Sequence, residues 1–528
     1  MAFDEWEYAA ELSELEENRP YAVKLGKKNI LLVRIGNRVY ANLAKCTHYG
    51  APLKEGIVIG NEVVCPWHAA RFRIEDGRVT APPALQNLTR YEVKIEEGKV
   101  YVRKTRTETR KVTSTGKRET VVIIGAGGAG TACAQALRDE GYDGKIRIIT
   151  AESSYPYDRP NLSKEFLTGE VKREWMFLHP ENYYSDNEIE IVFNEKVMEI
   201  DLKDKKVILA SGGKMEYDKL VLATGAIPRT PDISGVYTQG FYLFRSMSDA
   251  SAILSALEKS KRVVIIGDGF LGLEIASSLR EKDVDVELVG RSEVPLRRVF
   301  GERIGGWIKY LHEESGTIYH SGRTVQEIRG VGKVKEVLLD DGTLISTSIV
   351  IAAVGVIPAV DYLEGTGITK NNGVIVNQFL ETPIDDIYAA GDIAIVPDPI
   401  TREKRRIEHW VEAQNQGIHV ARVIVGKKQK YSEVPFFWTH QCDKSIKYFG
   451  YASRIDSIKY RGSVEDGEFI AGYFRRGRLR AVAGCGMAEE LLYLGELIKN
   501  RIKIKEHVFE DTHISFREFY EDMVERRK

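Results

Sequence analysis

The run Val121-Val-Ile-Ile-Gly125-Ala-Gly127-Gly-Ala-Gly130, followed by Ala134, decides the architecture. Four apolar residues suit a strand buried on both faces, and Gly-x-Gly-x-x-Gly then turns tightly into a helix. The glycines let backbone approach a pyrophosphate at the helix N-terminus, where free N–H groups and the helix dipole favour anions. Taken alone, such a turn is also compatible with a glycine-rich loop that binds nothing. Its context argues for a ligand, because Glu152, at the end of the next strand (Ile146-Arg-Ile-Ile-Thr), is placed to hold a ribose hydroxyl. The device recurs where Val263–Ile266 runs into Gly267-Asp-Gly269-Phe-Leu-Gly272 with Ala276. From Glu119 onward, apolar strands alternate with helical stretches, which predicts βαβ units on a parallel sheet. Two Rossmann-like dinucleotide-binding α/β domains are therefore expected.

Two later segments point to a flavin in the first of them. Asp218-Lys-Leu-Val-Leu-Ala-Thr224-Gly225 reads as a strand returning to that domain after an excursion. Thr382-Pro-Ile-Asp-Asp-Ile-Tyr-Ala-Ala-Gly391-Asp392 places a carboxylate after a strand, where it would bind the ribityl chain of FAD. In the second domain, the strand Val284–Val289 runs into Gly290-Arg291 where an NAD site would place a glutamate. An arginine there would pair a 2′-phosphate, which favours NADPH over NADH; the bland alternative is a surface side chain that touches nothing.

Upstream, residues 20–103 alternate in short β-patterned runs such as Ile30-Leu-Leu-Val-Arg and Tyr91-Glu-Val-Lys-Ile, bounded by Gly and Asn, and predict a small all-β domain. Within it lie Cys46-Thr-His48 and, sixteen residues on, Cys65-Pro-Trp-His68. Two thiolates and two imidazoles on paired loops suit a [2Fe–2S] cluster with the cysteines on one iron and the histidines on the other. Neutral imidazoles in place of two thiolates raise the potential, so the cluster would accept electrons from a flavin. A tetrahedral zinc site uses the same ligand types, but its usual half-site is Cys-x2–4-Cys. The continuations His48-Tyr-Gly-Ala-Pro-Leu and His68-Ala-Ala-Arg-Phe resemble the ligand loops of Rieske proteins.

The chain has 528 residues, 43% hydrophobic and 29% charged, with a formal net charge of −1. That length calls for several cores, and the balanced charge favours neither nucleic acid nor an anionic surface as partner. Its apolar runs are too short for a membrane span, and the acidic start is unlike a signal peptide, so a cytoplasmic setting is expected. Five scattered cysteines make no disulfide framework, and without Cys-x2-Cys or Cys-x4-Cys a redox-active dithiol is not expected. The expected organisation is a Rieske domain (1–103), a basic linker (104–118), an FAD-binding domain in two parts (119–243 and 359–430), a nucleotide-binding domain (244–358) and an α+β C-terminal domain (431–528).

Jointly, Tyr157-Asp-Arg159-Pro-Asn-Leu-Ser163-Lys164, the two glycine turns, Gly391-Asp392 and Glu408-His409-Trp410 resemble the single-FAD ferredoxin reductases and apoptosis-inducing factor, with a glutathione-reductase-like fold. The Rieske loops narrow this to the Rieske-fused subgroup. The resemblance implies Arg159 and Lys164 beside the flavin, Lys164 paired with Glu274, and Trp410 near the flavin ring, gating nicotinamide. The bland alternatives are a surface ion pair and core packing. Departures stand at Gly290-Arg291 and at Asn161, where proline is common. The expected activity is electron transfer from NAD(P)H through FAD and the cluster to an unidentified acceptor, in a monomer or a dimer. Two other readings are kept open: a slow-turnover redox sensor, and a reductase subunit whose Rieske domain belongs to an oxygenase.

Overall fold

Val121–Ile124 and Arg262–Ile266 each form the middle of a five-stranded parallel sheet. The structure, a computed structural model, describes residues 5–104, 115, 116, 118–369, 373–399 and 403–526. Ile189–Val192, Ile146–Ile149, Val121–Ile124, Lys219–Leu222 and Ile387–Ala389 lie in that order in the first sheet. Its central strand is buried throughout, as suits an uninterrupted Val/Ile run, with Gly128–Asp139 and the antiparallel strands Val197–Asp201 and Lys206–Leu209 contributing to the same core. The second sheet orders Phe241–Leu243, Ile349–Ala352, Arg262–Ile266, Asp285–Gly290 and Ile318–Ser321.

Each middle strand turns into a twelve-residue helix, Gly128–Asp139 and Phe270–Glu281. Gly125 and Gly267 adopt φ of 111° and 112°, open to glycine alone, and a Cβ on Gly130 or Gly272 would lie 1.9 Å from the carbonyl of Gly125 or Gly267. The helix Trp410–Ile424 crosses the first of these helices closely, because Gly417 admits the backbone of Ala129, 2.1 Å from where a Cβ would be.

The N-terminal region is all β. A six-stranded antiparallel sheet (Glu7–Glu11, Lys99–Lys104, Arg90–Glu96, Arg38–Leu43, Lys28–Ile35, Pro20–Leu25) is joined by a four-stranded one from Ile57–Ile59 to Val79–Ala81. The strand Glu7–Glu11 carries no clean alternation and becomes a strand by pairing with Lys99–Lys104. The expected linker at 104–118 falls almost wholly outside the described residues. At the other end, a five-stranded antiparallel sheet from Phe436–Gln441 to Arg478–Cys485 carries the helices Ala488–Lys499 and Phe516–Glu525.

The N-terminal region packs against the rest of the chain. Ile57 and Val64 share one apolar cluster with Val411, Phe436, Phe449 and Leu494. Each such side chain, removed from water, contributes about 1.5–3 kcal/mol.

Candidate active site

The two cysteine–histidine loops have one backbone geometry used twice. Cys46 N–H donates to the Ala51 carbonyl (2.9 Å) and Gly50 N–H returns to Cys46 (2.9 Å); Cys65 pairs with Ala70 (2.8 Å) and Ala69 with Cys65 (3.2 Å) in the same pattern. The fourth residue after each cysteine is left-handed, Gly50 at φ 76° and Ala69 at φ 57°. The loops bring like ligands together. Cys46 is hydrogen-bonded to Cys65, which together with burial pushes its thiol upward. The His48 and His68 Nδ1 atoms lie 3.1 Å apart. The four side chains thus come as two like pairs, Cys46 with Cys65 and His48 with His68. Two pairs suit two irons. His48 Nε2 lies 2.9 Å from Asp158 Oδ2, between side chains only 8% and 6% exposed; donating there, it would leave Nδ1 free to hold an iron. The His68 ring lies 4.2 Å from that of Trp438.

At the first glycine turn, no atom lies within 4 Å of a Cβ built on Gly127, which leaves the approach that a pyrophosphate needs. The Glu152 carboxylate follows the second strand as expected, but it is already engaged. It accepts from Arg159 (2.7 Å) and from Tyr157 Oη (2.6 Å); burial would raise it, and the Arg159 charge holds it below the usual carboxylate range. Arg159 also donates to the Arg245 carbonyl (2.7 Å), and the Arg245 guanidinium pairs Asp392 at 2.9 Å. Gly225 lies beside that pair at φ 67°, while Thr224 Oγ1 donates to the Ala359 carbonyl (2.7 Å). The Trp410 ring lies against Gly128, about 3.1 Å from where a Cβ would be, and its buried Nε1–H has no acceptor among the described residues. An open cradle and an orphaned donor fit a polar ligand lying over the turn.

Lys164 and Glu274 meet. The ammonium lies 2.5 Å from Oε2, and both side chains are 9% exposed. Ser163 Oγ (2.7 Å) and Thr439 Oγ1 (2.7 Å) also donate to Glu274, as does His440 N–H (3.3 Å). Burial opposes the charge on Glu274, and Lys164 with these donors outweighs it, holding the carboxyl below its ordinary value.

At the second turn a Cβ on Gly269 likewise meets nothing within 4 Å. Beyond it the site differs from the first. The Asp268 carboxylate fills the space beside Gly290, 2.4 Å from where a Cβ would stand, and accepts from Tyr319 Oη at 3.1 Å. Arg291 is exposed.

Three comparisons agree with this geometry. Residues 119–417 match the model of the pyridine nucleotide-disulphide oxidoreductases, 5–92 that of the Rieske [2Fe-2S] domain, and 436–520 that of the reductase C-terminal domain. Human apoptosis-inducing factor 3 is 33% identical over 93% of this chain and 84% of its own.

The chain belongs to the Rieske-fused, apoptosis-inducing-factor-like ferredoxin reductases.

Putidaredoxin reductase of Pseudomonas putida is 30% identical over 76% of this chain and 96% of its own. A solved ferredoxin reductase for the CYP199A2 system, from Rhodopseudomonas palustris, superposes with a TM-score of 0.74 at 30% identity, over 76% of this chain and all of that one. The protein is thus an NAD(P)H-dependent flavoprotein oxidoreductase with FAD and a [2Fe–2S] cluster as its cofactors. Among the described residues no helix is long and apolar enough to cross a membrane.

The structure pairs Cys46 with Cys65 and His48 with His68, the four expected cluster ligands, and joins Lys164 to Glu274. Trp410 lies on the glycine turn at Gly128, and Arg291 stands in solvent. Reading the sequence missed Arg245, Asp158 and Trp438. Asp158 stood inside a quoted motif and Trp438 within the expected C-terminal domain, but nothing local marks either as meeting His48 or His68, 110 and 370 positions away in the chain.

Proposed function

We propose that this reductase takes electrons from NAD(P)H at FAD, passes them to its own Rieske cluster, and releases them there to a small redox acceptor. The observation that carries the reading is a shared scaffold. The turn 158–164 touches the cluster ligand His48 through Asp158 and the Glu274 carboxylate through Ser163 and Lys164. The strand Phe436–Gln441 touches His68 through Trp438 and Glu274 through Thr439. Two segments therefore each span from the cluster edge to the Lys164–Glu274 pair.

FAD, when bound, supplies the conversion of one hydride into two single electrons. The protein's part is position and charge. Lys164 would place a cation beside the ring system, and Glu274, held by four donors, keeps that ammonium in place. Trp410 would cover the turn and limit nicotinamide access. Glu152 and Asp392 would hold the ribose and ribityl hydroxyls, with Arg159 and Arg245 setting their orientation. At the second turn Arg291 supports NADPH as donor, and Asp268 opposes a 2′-phosphate there, so the preference for NADPH is small. None of the five cysteines is in a disulfide, which supports a reducing, cytoplasmic setting.

The test uses Cys46→Ser and His68→Ala in the full chain. FAD binding and ferricyanide reduction should persist, because that small oxidant reaches the flavin, while reduction of a protein acceptor such as cytochrome c should be lost. Full activity towards a protein acceptor in a cluster-free variant would make the flavin the exit. Slow turnover of the intact protein with every acceptor would support a redox sensor instead.

A further inference from the structure

Asn161 is one of the two departures noted in the sequence, and the chemistry so far makes no use of it. It is 2% exposed, and both ends of its amide are engaged. Nδ2 donates to Tyr49 Oη at 2.8 Å, and Oδ1 accepts the Phe166 N–H at 3.0 Å. Tyr49 directly follows the cluster ligand His48 and packs on its ring at 4.2 Å. Three residues before Asn161, Asp158 accepts from His48; three after it, Lys164 binds both the Pro160 carbonyl (3.0 Å) and Glu274 (2.5 Å). Proline at this position would have no donor for Tyr49. The Nδ2 bond crosses the interface, and a buried amide donor left without that partner would be costly.

Further contacts hold the same seam at its rim. Gln135 Nε2 donates to the Leu85 carbonyl (2.8 Å), and Arg71 pairs with Glu496. With Trp438 on His68 and Asp158 on His48, the imidazole edge of the cluster loops faces inward, towards Lys164.

We propose that the turn 158–164 is an internal receptor for the cluster loop, and that Asn161 and Tyr49 are a positioning pair that sets the Rieske domain in register with the flavin site. The proposal rests on the reading that electrons pass from flavin to cluster. In that setting the pair acts on the distance and orientation between the two redox sites, and on neither site's own chemistry. One turn fixes both the cluster edge and the flavin-side cation, so their separation is set within seven residues of chain. The chain thereby carries its own redox partner in the place where it must receive an electron.

The experiment compares the intact holoprotein with Tyr49→Phe, Asn161→Ala and the double variant. The part-buried Asn161–Tyr49 bond is worth about 1 kcal/mol net, or roughly a fivefold change in the docked-to-undocked ratio. Amide hydrogen exchange in peptides covering 46–50 and 158–164 should rise about fivefold in Tyr49→Phe, with the cluster's midpoint potential and EPR spectrum unchanged. The double variant should fall short of the product of the two single effects, since both substitutions remove one shared bond, with Tyr49 also facing Asp158. In rapid mixing with NADH or NADPH, flavin reduction should keep its rate while cluster reduction slows. Unchanged exchange in Tyr49→Phe, multiplying effects in the double variant, or a shifted midpoint potential would each overturn the proposal. If the intact protein's flavin is reduced and its cluster never is, the electron-flow reading fails, while the exchange data still decide the docking.

Discussion

The turns at 125–130 and 267–272 are one backbone used twice, and their surroundings make them different sites. The left-handed first glycines agree within a degree, and the third glycines admit the same carbonyl at the same distance. Around the first turn, acids and bases close a network: Glu152 with Arg159, and Arg245 with Asp392. Around the second, a carboxylate from inside the turn, Asp268, stands beside Gly290 where the first site has a separate acid one strand on. The glycines settle where a pyrophosphate lies. The side chains that arrive from elsewhere in the chain settle what else is recognised.

The largest effect expected from breaking this symmetry is at the second glycines. Gly127 and Gly269 have open space where a Cβ would go, so a side chain there meets the ligand before it meets protein. Gly127→Glu should fold and lose FAD by at least about a hundredfold in affinity, given the cost of setting a carboxylate against a pyrophosphate. Gly269→Glu should keep FAD and lose nicotinamide binding by a similar factor. Equilibrium titration of both ligands against both variants checks the pair; loss of FAD in Gly269→Glu would show that the two sites are not independent.

Next comes the point where the two halves touch. Glu274 lies on the helix of the second turn and pairs Lys164 of the first half. Glu274→Gln leaves a buried ammonium without its counter-charge, a change that costs about 3–5 kcal/mol. Thermal unfolding should show that loss, together with slower flavin reduction. A variant with an unaltered melting temperature would place the pair in contact with solvent.

Acid should act on both halves, since burial also lowers His312 in the nucleotide-binding half. His179, His409 and His419, in the flavin-binding half, and His440 beside Glu274 are each lowered to about 4, mainly by burial. In the unfolded chain they titrate near 6.5, so between those values the unfolded state binds more protons. Stability is therefore complete above about pH 6.5 and is lost as pH falls towards 4, by roughly 1–3 kcal/mol per histidine. Melting curves between pH 7.5 and 4.5, read by flavin fluorescence, check this. Flat behaviour across the window would mean that these rings are hydrated.

The smallest effect concerns nucleotide choice. Arg291→Glu should move kcat/KM towards NADH by about fivefold, one exposed charge pair being worth at most about a kcal/mol. Asp268→Gly should move it the other way by a similar factor. Equal ratios in both variants would leave discrimination to groups outside this strand end.

The turns, the strands that lead into them and the Cys-x-His and Cys-x2-His loops were legible because each is local. A glycine needed at a positive φ, an uninterrupted Val/Ile strand and a ligand pair closed by one loop are written within ten residues. The Lys164–Glu274 pair was legible only through resemblance, since 110 positions separate its members. What the tertiary structure alone decided is which surfaces meet. Asp158, Asn161 and Trp438 look like ordinary loop and strand residues until folding brings the cluster loop against them. Asp268 looks like filler within a glycine turn until the strand Asp285–Gly290 is laid beside it. Local conformational preference acts over a few residues and leaves a mark in the sequence. Contacts between distant segments depend on burial summed over whole sheets and helices, and single residues in such contacts carry no mark of their own.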